Sequence, residues 1–326
     1  MKLSIVVVTW QSADALERLV VSMNRHLEGD EELIVVDNAS GDDPLAAAAS
    51  WRGRGWFLRM DANLGFGAAV NAGVARAGGD VVVVLNPDTW LVDRGLPRLA
   101  ELALRTGAIV GPAVRSPNGS RQPSASGPPV GVWPWVRAFL PSGLGPRWVI
   151  RRTAPWRLET LTPVSWLTGA CLAAPRTVLT ELGPFDPAIH LYAEDLDLGL
   201  RAAAAGVGSC FAPSEATIVH AGKASTAQVF DDLGRAQAAR NGRAVLRRRY
   251  GARREQLAWA AEVVGLRLRV AVKGLVGRER TWEQTVLAGL LGARPAPSLP
   301  PLTAAGARTP APVEQLELPV EGPPER

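Results

Sequence analysis

A chain of 326 residues has room for one large domain with attachments, or for two domains. With 47% hydrophobic and 21% charged residues it is too apolar for disorder, and two cysteines, Cys171 and Cys210, exclude a disulfide framework and point to a reducing compartment. The formal net charge of +5 favours anionic partners, and much of the positive charge falls in the C-terminal third, in Arg240, Arg243, Arg247, Arg248, Arg267 and Lys273 among others.

The first apolar run, Leu3–Val8, reads as a buried strand rather than a secretory leader, because no small-residue cleavage site follows it. Ser12 is placed to cap a helix carrying Leu16, Leu19, Val20 and Met23 on one face. Further strands are predicted at Leu33–Val36, Trp56–Met60 and Val81–Leu85, with a glycine-rich turn and a helix from about Gly67 to Ala77 before the last. Strands this apolar are covered on both faces, and their alternation with helices predicts a mostly parallel sheet of βαβ units. Ligands bind such sheets at the carboxyl ends of the strands. Thr9, Asp37, Asn63 and Asn86-Pro87-Asp88 collect at that end.

Between residues 116 and 160 the periodicity fails, and Gly, Pro, Ser and Trp dominate. The expectation there is a long loop or hairpin region of functional use. A helix is predicted over Ala193–Ala205, and short strands over Val207–Ala212 and Ala216–His220. Three basic or amphipathic helical patterns follow within 226–293, expected as a C-terminal extension to a catalytic unit spanning 1–225. That unit divides into a nucleotide-binding half (1–115), the Trp/Pro-rich region (116–160) and an acceptor half (161–225). Residues 294–326, rich in Pro, Ala and Glu, read as a disordered tail. No stretch reaches the roughly 20 apolar residues that span a bilayer.

Several groups in this order can carry chemistry. Asp37, directly after a strand, can accept hydrogen bonds from a ribose or base, or can simply cap the next turn. Asn63-Leu64-Gly65-Phe66-Gly67 with Asn71 opens a helix and permits close backbone approach to a ligand. Val70 at the third glycine place disfavours a nicotinamide site. Asp88, fixed beyond a strand by Pro87, can hold Mg²⁺ or Mn²⁺ on a diphosphate. Glu194, Asp195 and Asp197 crowd one helix start. The helix dipole explains part of that cluster, but Glu194 and Asp195 exceed what a cap requires, and one of them can act as a general base. His220 closes a strand as a structural histidine or a ligand.

Taken together, Thr9-Trp10, Asp37-Asn38-Ala39-Ser40, Asn63-Leu64-Gly65-Phe66-Gly67, Asn86-Pro87-Asp88, Leu167-Thr168-Gly169-Ala170, Phe185-Asp186, Glu194-Asp195-Leu196-Asp197 and His220 resemble family 2 glycosyltransferases. Within the family the chain is most similar to bacterial rhamnosyltransferases that use dTDP-L-rhamnose. The resemblance implies a GT-A-type, Rossmann-like fold, with Thr9, Asp37, Asn63, Gly65, Asn71, Asn86 and Gly169 around the nucleotide sugar. It further implies Asp88 and His220 on the metal, Asp195 as the inverting base and Glu194 as its alternative or partner. Asn86 stands where the family usually has the first acid of its metal motif, which also admits a non-catalytic nucleotide-binding module. A UDP-sugar donor is a second alternative. The implied acceptor is a glycan or polyprenyl-diphosphate-linked sugar, reached from the cytoplasmic side at an anionic membrane surface. Nucleic acid is not expected as a partner, since the arginine-rich segment holds no aromatic–basic module of a known kind.

Overall fold

The computed structural model describes residues 1–141, 143–183, 185–222, 231–292 and 311–318. The first half runs β1 (Leu3–Thr9), α1 (Ala13–His26), β2 (Glu32–Asp37), α2 (Pro44–Ala48), β3 (Gly55–Arg59), α3 (Phe66–Arg76), β4 (Val81–Leu85), β5 (Thr89–Leu91), α4 (Leu96–Thr106), β6 (Ile109–Gly111) and β7 (Ala113–Arg115). It continues with β8 (Ala125–Ser126), α5 (Trp133–Phe139), α6 (Arg147–Thr153), β9 (Thr162–Val164), β10 (Trp166–Leu167), β11 (Cys171–Pro175), α7 (Arg176–Leu182) and α8 (Glu194–Ala204). The last elements are β12 (Ser209–Phe211), β13 (Thr217–His220), α9 (Asp231–Tyr250), α10 (Ala252–Leu275), α11 (Thr281–Gly292) and β14 (Glu314–Glu317).

The central sheet has the order β14-β3-β2-β1-β4-β11-β6-β12-β9. Strands β3, β2, β1, β4, β6 and β12 run one way, and β14, β11 and β9 oppose them. The expected mostly parallel α/β sheet is therefore present. Its strands are apolar runs because both faces are covered. Ile5, Val7, Leu33 and Val35 pack with Leu16 and Leu19 of α1 on one side. Val6, Val8, Ile34 and Val36 pack with Val70 and Ala72 of α3 on the other. A small second sheet, β5-β13-β7, sets His220 opposite Thr89 and so beside Asp88.

Two expectations change. Part of the Trp/Pro-rich region is helical, because its prolines start helices instead of breaking them: Pro134 lies in the first turn of α5, and Pro146 caps α6. The predicted disordered tail is also wrong at residues 311–318. There β14 pairs antiparallel with the edge strand β3, and Leu318 is buried against Gly55. An open sheet edge offers unpaired backbone groups, which this segment satisfies. Residues 293–310 and 319–326 of that tail, like Lys223–Phe230 at the expected boundary near 225, lie outside the described residues.

The C-terminal helices pack on the sheet domain. Helix α10 crosses α5 so closely that a Cβ on Gly265 would lie 2.7 Å from the Ala138 Cα. No helix among the described residues is long and apolar enough to cross a membrane.

Asn71 ties α3 to the segment ahead of α8. Its Nδ2 donates to the Phe185 carbonyl at 2.8 Å, and its Oδ1 accepts the Phe185 N–H at 2.9 Å. Asn71→Ala leaves both backbone groups buried without partners, at a cost of about 2 kcal/mol or more. The thermal midpoint should fall by about 4–8 °C in a calorimetric scan.

Candidate active site

One end of the site is built from the turns after β2 and β3. Asn38, 2% exposed, donates through Nδ2 to the Asn63 Oδ1 at 2.9 Å and accepts the Leu64 N–H at 3.1 Å. These bonds fix the Asn63-Leu64-Gly65 turn. Gly65 has φ +89°, and a Cβ there would lie 2.1 Å from the His190 carbonyl oxygen. Only glycine fits, and the contact is used: the Phe66 N–H donates to that oxygen at 3.1 Å. The Asn63-Leu64-Gly65 turn is thereby joined to the segment leading into α8.

Asp88 and His220 meet through the β5–β13 pairing. Asp88 Oδ1 lies 3.2 Å from His220 Nε2, while Oδ2 accepts the Gly222 N–H at 3.0 Å. Asn86 Nδ2 is 3.4 Å from the same Nε2. Gln122 orients the imidazole. Its amide nitrogen donates to the His220 carbonyl at 2.8 Å and to Ser116 Oγ at 3.1 Å, which leaves Oε1 facing Nδ1 at 2.9 Å. A carbonyl oxygen only accepts, so Nδ1 carries a proton and Nε2 is the nitrogen turned to Asp88. A lone pair and a carboxylate oxygen at that distance repel unless a proton or a cation lies between them.

Glu194 and Asp195 open α8 after a strained turn. Tyr192 and Ala193 both have positive φ, +67° and +73°. Asn241 of α9 holds this turn, donating to the Leu191 and Tyr192 carbonyls at 2.8 and 3.2 Å. Asp195 accepts the Gly169 N–H at 3.2 Å and the Leu196 N–H at 2.7 Å. Glu194 is 7% exposed, and its Oε2 has no hydrogen-bond partner among the described residues. Burial, then the charge of Asp195, pushes the Glu194 carboxyl up to about 8. Burial pushes Asp195 up to about 6, against the pull of the Gly169 and Leu196 amides. Both carboxyls therefore hold their protons more tightly than an ordinary carboxylate does.

Asn63, Gly65, Asn86, Asp88, Gly169, Glu194, Asp195 and His220 line one cavity. Three expected residues do not. Thr9 is fully buried with its hydroxyl 2.8 Å from Ser12 Oγ. Asp37 is 1% exposed, accepts the Ser40 N–H at 2.9 Å and faces Arg59 Nε at 3.2 Å. Asn71 spends its amide on Phe185. The reading from sequence missed Gln122 and Asn241, which reach the site through residues 98 and about 50 positions away.

Residues 4–149 match the model of glycosyl transferase family 2. An N-acetylglucosaminyl-diphospho-decaprenol L-rhamnosyltransferase of Mycobacterium tuberculosis is 34% identical over 237 residues, covering 67% of this chain and 76% of the relative. Two solved structures share the fold at low identity. GalNAc-T7 with UDP, GalNAc and Mn²⁺ gives a TM-score of 0.58 at 19% identity, over 76% of this chain and 47% of that one. The mannosyltransferase PcManGT from Pyrobaculum calidifontis, in complex with GDP-Man and Mn²⁺, gives 0.57 at 18%, over 89% and 86%. The sheet and its strand-end site thus define a GT-A glycosyltransferase. The chain belongs to glycosyltransferase family 2.

A base must be ionised to accept a proton, so kcat/KM should rise as pH climbs through about 6 and level off above it. At pH 5 the rate should lie about tenfold below its plateau. A steady-state pH profile reads this out, and a flat profile between pH 5 and 7 would contradict Asp195 as the base.

Proposed function

We propose that this enzyme moves L-rhamnose from dTDP-L-rhamnose to a hydroxyl of a polyprenyl-diphosphate-linked sugar, inverting the anomeric carbon and requiring a divalent cation. The observation that carries the chemistry is the Asp195 carboxylate lining the same cavity as the Asp88–His220 pair. Support for the donor and acceptor comes from the name of the mycobacterial relative and from the dTDP-L-rhamnose resemblance in the sequence.

The Asp88–His220 pair fits Mg²⁺ or Mn²⁺. Asp88 Oδ1 and His220 Nε2 already face each other, and Gln122 holds the imidazole through Nδ1. No cluster of three or more His, Cys, Asp or Glu side chains exists among the described residues, so oxygens of the donor diphosphate would complete the shell. Imidazole favours Mn²⁺ over Mg²⁺. The bound cation would neutralise charge on the departing nucleoside diphosphate.

The chain's own residues do the rest. The acceptor hydroxyl loses its proton to Asp195 while its oxygen forms a bond to the anomeric carbon. The bond from that carbon to the diphosphate oxygen breaks on the opposite face, so one displacement inverts the centre. Gly169 holds the Asp195 carboxylate through its N–H and adds no side chain beside the sugar. The Gly65 turn and Asn63 face the same cavity and position the donor.

Two measurements test this reading. Asp195→Asn should lower the single-turnover rate by about 10²–10⁴, and Glu194→Gln by less. Equal or reversed losses would remove Asp195 from the role. In thermal unfolding, dTDP with Mn²⁺ at about a hundred times its dissociation constant should add about 2.7 kcal/mol and raise the midpoint by several degrees. A larger shift with UDP would keep the enzyme class and discard the rhamnosyl donor.

A further inference from the structure

The cavity that holds the catalytic carboxylates is larger than a nucleotide sugar needs. Its volume is about 1880 Å³, whereas a small-molecule site spans roughly 300–1,000 Å³. Asn38, Asn63, Asp88 and His220 mark the donor end. The remaining wall comes from α5, α9, α10 and α11. The close crossing at Ala138 and Gly265 packs α5 tightly on α10, so these two helices form one continuous wall.

The chamber's lining has two characters. Arg137, Arg157, Arg240, Arg243, Arg269 and Lys273 face it, against the carboxylates Glu255 and Glu262. Some of that charge is spent internally: Arg243 pairs with Glu255, and Lys273 pairs with Glu283 at 2.8 Å. Arg137 and Arg269 act on Glu262 from a distance. Arg240 is different. Its Nε is buried and has no hydrogen-bond partner among the described residues. A buried guanidinium nitrogen left unpaired beside a cavity is a site that an anion would satisfy.

Farther from the donor end the wall is apolar, with Phe139, Leu140, Leu268, Val272, Trp282 and Val286. Four of these are also open to solvent: Phe139 is 61% exposed, Leu268 40%, Val272 49% and Trp282 59%. They form the outer mouth. Trp148 of α6, and Leu275 and Val276 at the end of α10, add exposed apolar surface, with exposed Arg147, Arg151, Arg267 and Arg278 on the same segments. Apolar side chains set among cations are the composition of a surface that rests on anionic lipid.

We propose that this chamber binds a polyprenyl diphosphate. The diphosphate lies against Arg240, with Arg137 and Arg269 adding positive potential, and the first isoprene units follow the apolar wall. The chain leaves through the Phe139–Trp282 mouth into an anionic bilayer. The inference rests on the transferase reading of the site, since it supplies the carrier end of the acceptor. A soluble glycan would need polar partners along a wall that offers alkyl and aromatic groups instead.

Farnesyl diphosphate, inorganic pyrophosphate and farnesol, each without divalent cation, test the proposal on the full chain through its tryptophan fluorescence, because Trp156, Trp259 and Trp282 line the chamber. Farnesyl diphosphate should bind about tenfold or more tightly than either pyrophosphate or farnesol. Leu268→Asp with Val272→Asp, both at solvent-open positions, should remove the advantage over pyrophosphate. Arg240→Gln should remove the advantage over farnesol. Both variants should keep the dTDP-dependent thermal shift. Equal binding of farnesyl diphosphate and pyrophosphate, or an undiminished preference in the double variant, overturns the chamber. Nucleotide binding without farnesyl diphosphate binding discards the chamber alone. Farnesyl diphosphate binding in a chain that binds no nucleotide keeps the chamber and discards the transferase reading.

Discussion

Asp186 and Asp197 are carboxylates withdrawn from water, 2% and 3% exposed, and one guanidinium from another helix holds both. Arg248 of α9 donates to Asp186 at 2.6 Å and pairs with Asp197, which also takes Arg201 Nε at 2.7 Å. A buried ion costs several kcal/mol to desolvate, so removing one partner of such a group is far more damaging than never having built it. The consequence reaches the site. Asp186 follows Phe185, whose backbone is clamped by Asn71 and whose ring meets Phe66 edge-on at 5.8 Å. Phe66 begins α3 directly after the Asn63-Leu64-Gly65 turn. The position of that turn relative to α8 therefore depends on a cation carried by α9.

The same helix start shows how one element can hold both structural and reactive acids. Asp197 is neutralised by Arg201 and Arg248. No ion pair reaches Glu194 or Asp195 among the described residues; instead, burial raises the proton affinity of both, and the charge of Asp195 raises that of Glu194 further. Two strained residues, Tyr192 and Ala193, aim the pair into the cavity, at a cost of about 1–3 kcal/mol each. The Asn241 bonds on one side and the His190–Phe66 bond on the other hold that strain in place. The access of cations separates the two kinds of acid.

How much of this was legible in the sequence varied with the range of the interaction. The sheet was readable because strands buried on both faces leave continuous apolar runs, as Val81–Leu85 does. The Glu194-Asp195 carboxylates and the Asp88–His220 pair, singled out through motif order, do meet at one cavity. Thr9, Asp37 and Asn71 were expected at the ligand and are instead directed to Ser12, Arg59 and Phe185. A polar residue at a strand end looks the same whether it turns outward or inward, and Asn71's partner lies 114 positions away. The prolines of the Trp-rich region misled for a related reason. Proline breaks a helix interior but suits a first turn, and only the packing against α10 shows which applies to Pro134.

The basic C-terminal third illustrates why composition overstates surface charge. Arg243 and Arg247 both close on Glu255, which is fully buried, and Arg248 is spent on Asp186 and Asp197. These cations neutralise the interior. The charge that faces outward comes from residues such as Arg253, Arg254, Arg267, Arg278 and Arg280, a smaller set than the count of arginines suggests. Attraction to an anionic bilayer would then be modest and screened by salt, and the exposed Trp148, Leu275 and Trp282 would have to supply the remainder of the adhesion. Helices α9–α11 thus act on the active site from inside, through ion pairs and the Asn241 clamp, while only their outer face is left for a membrane.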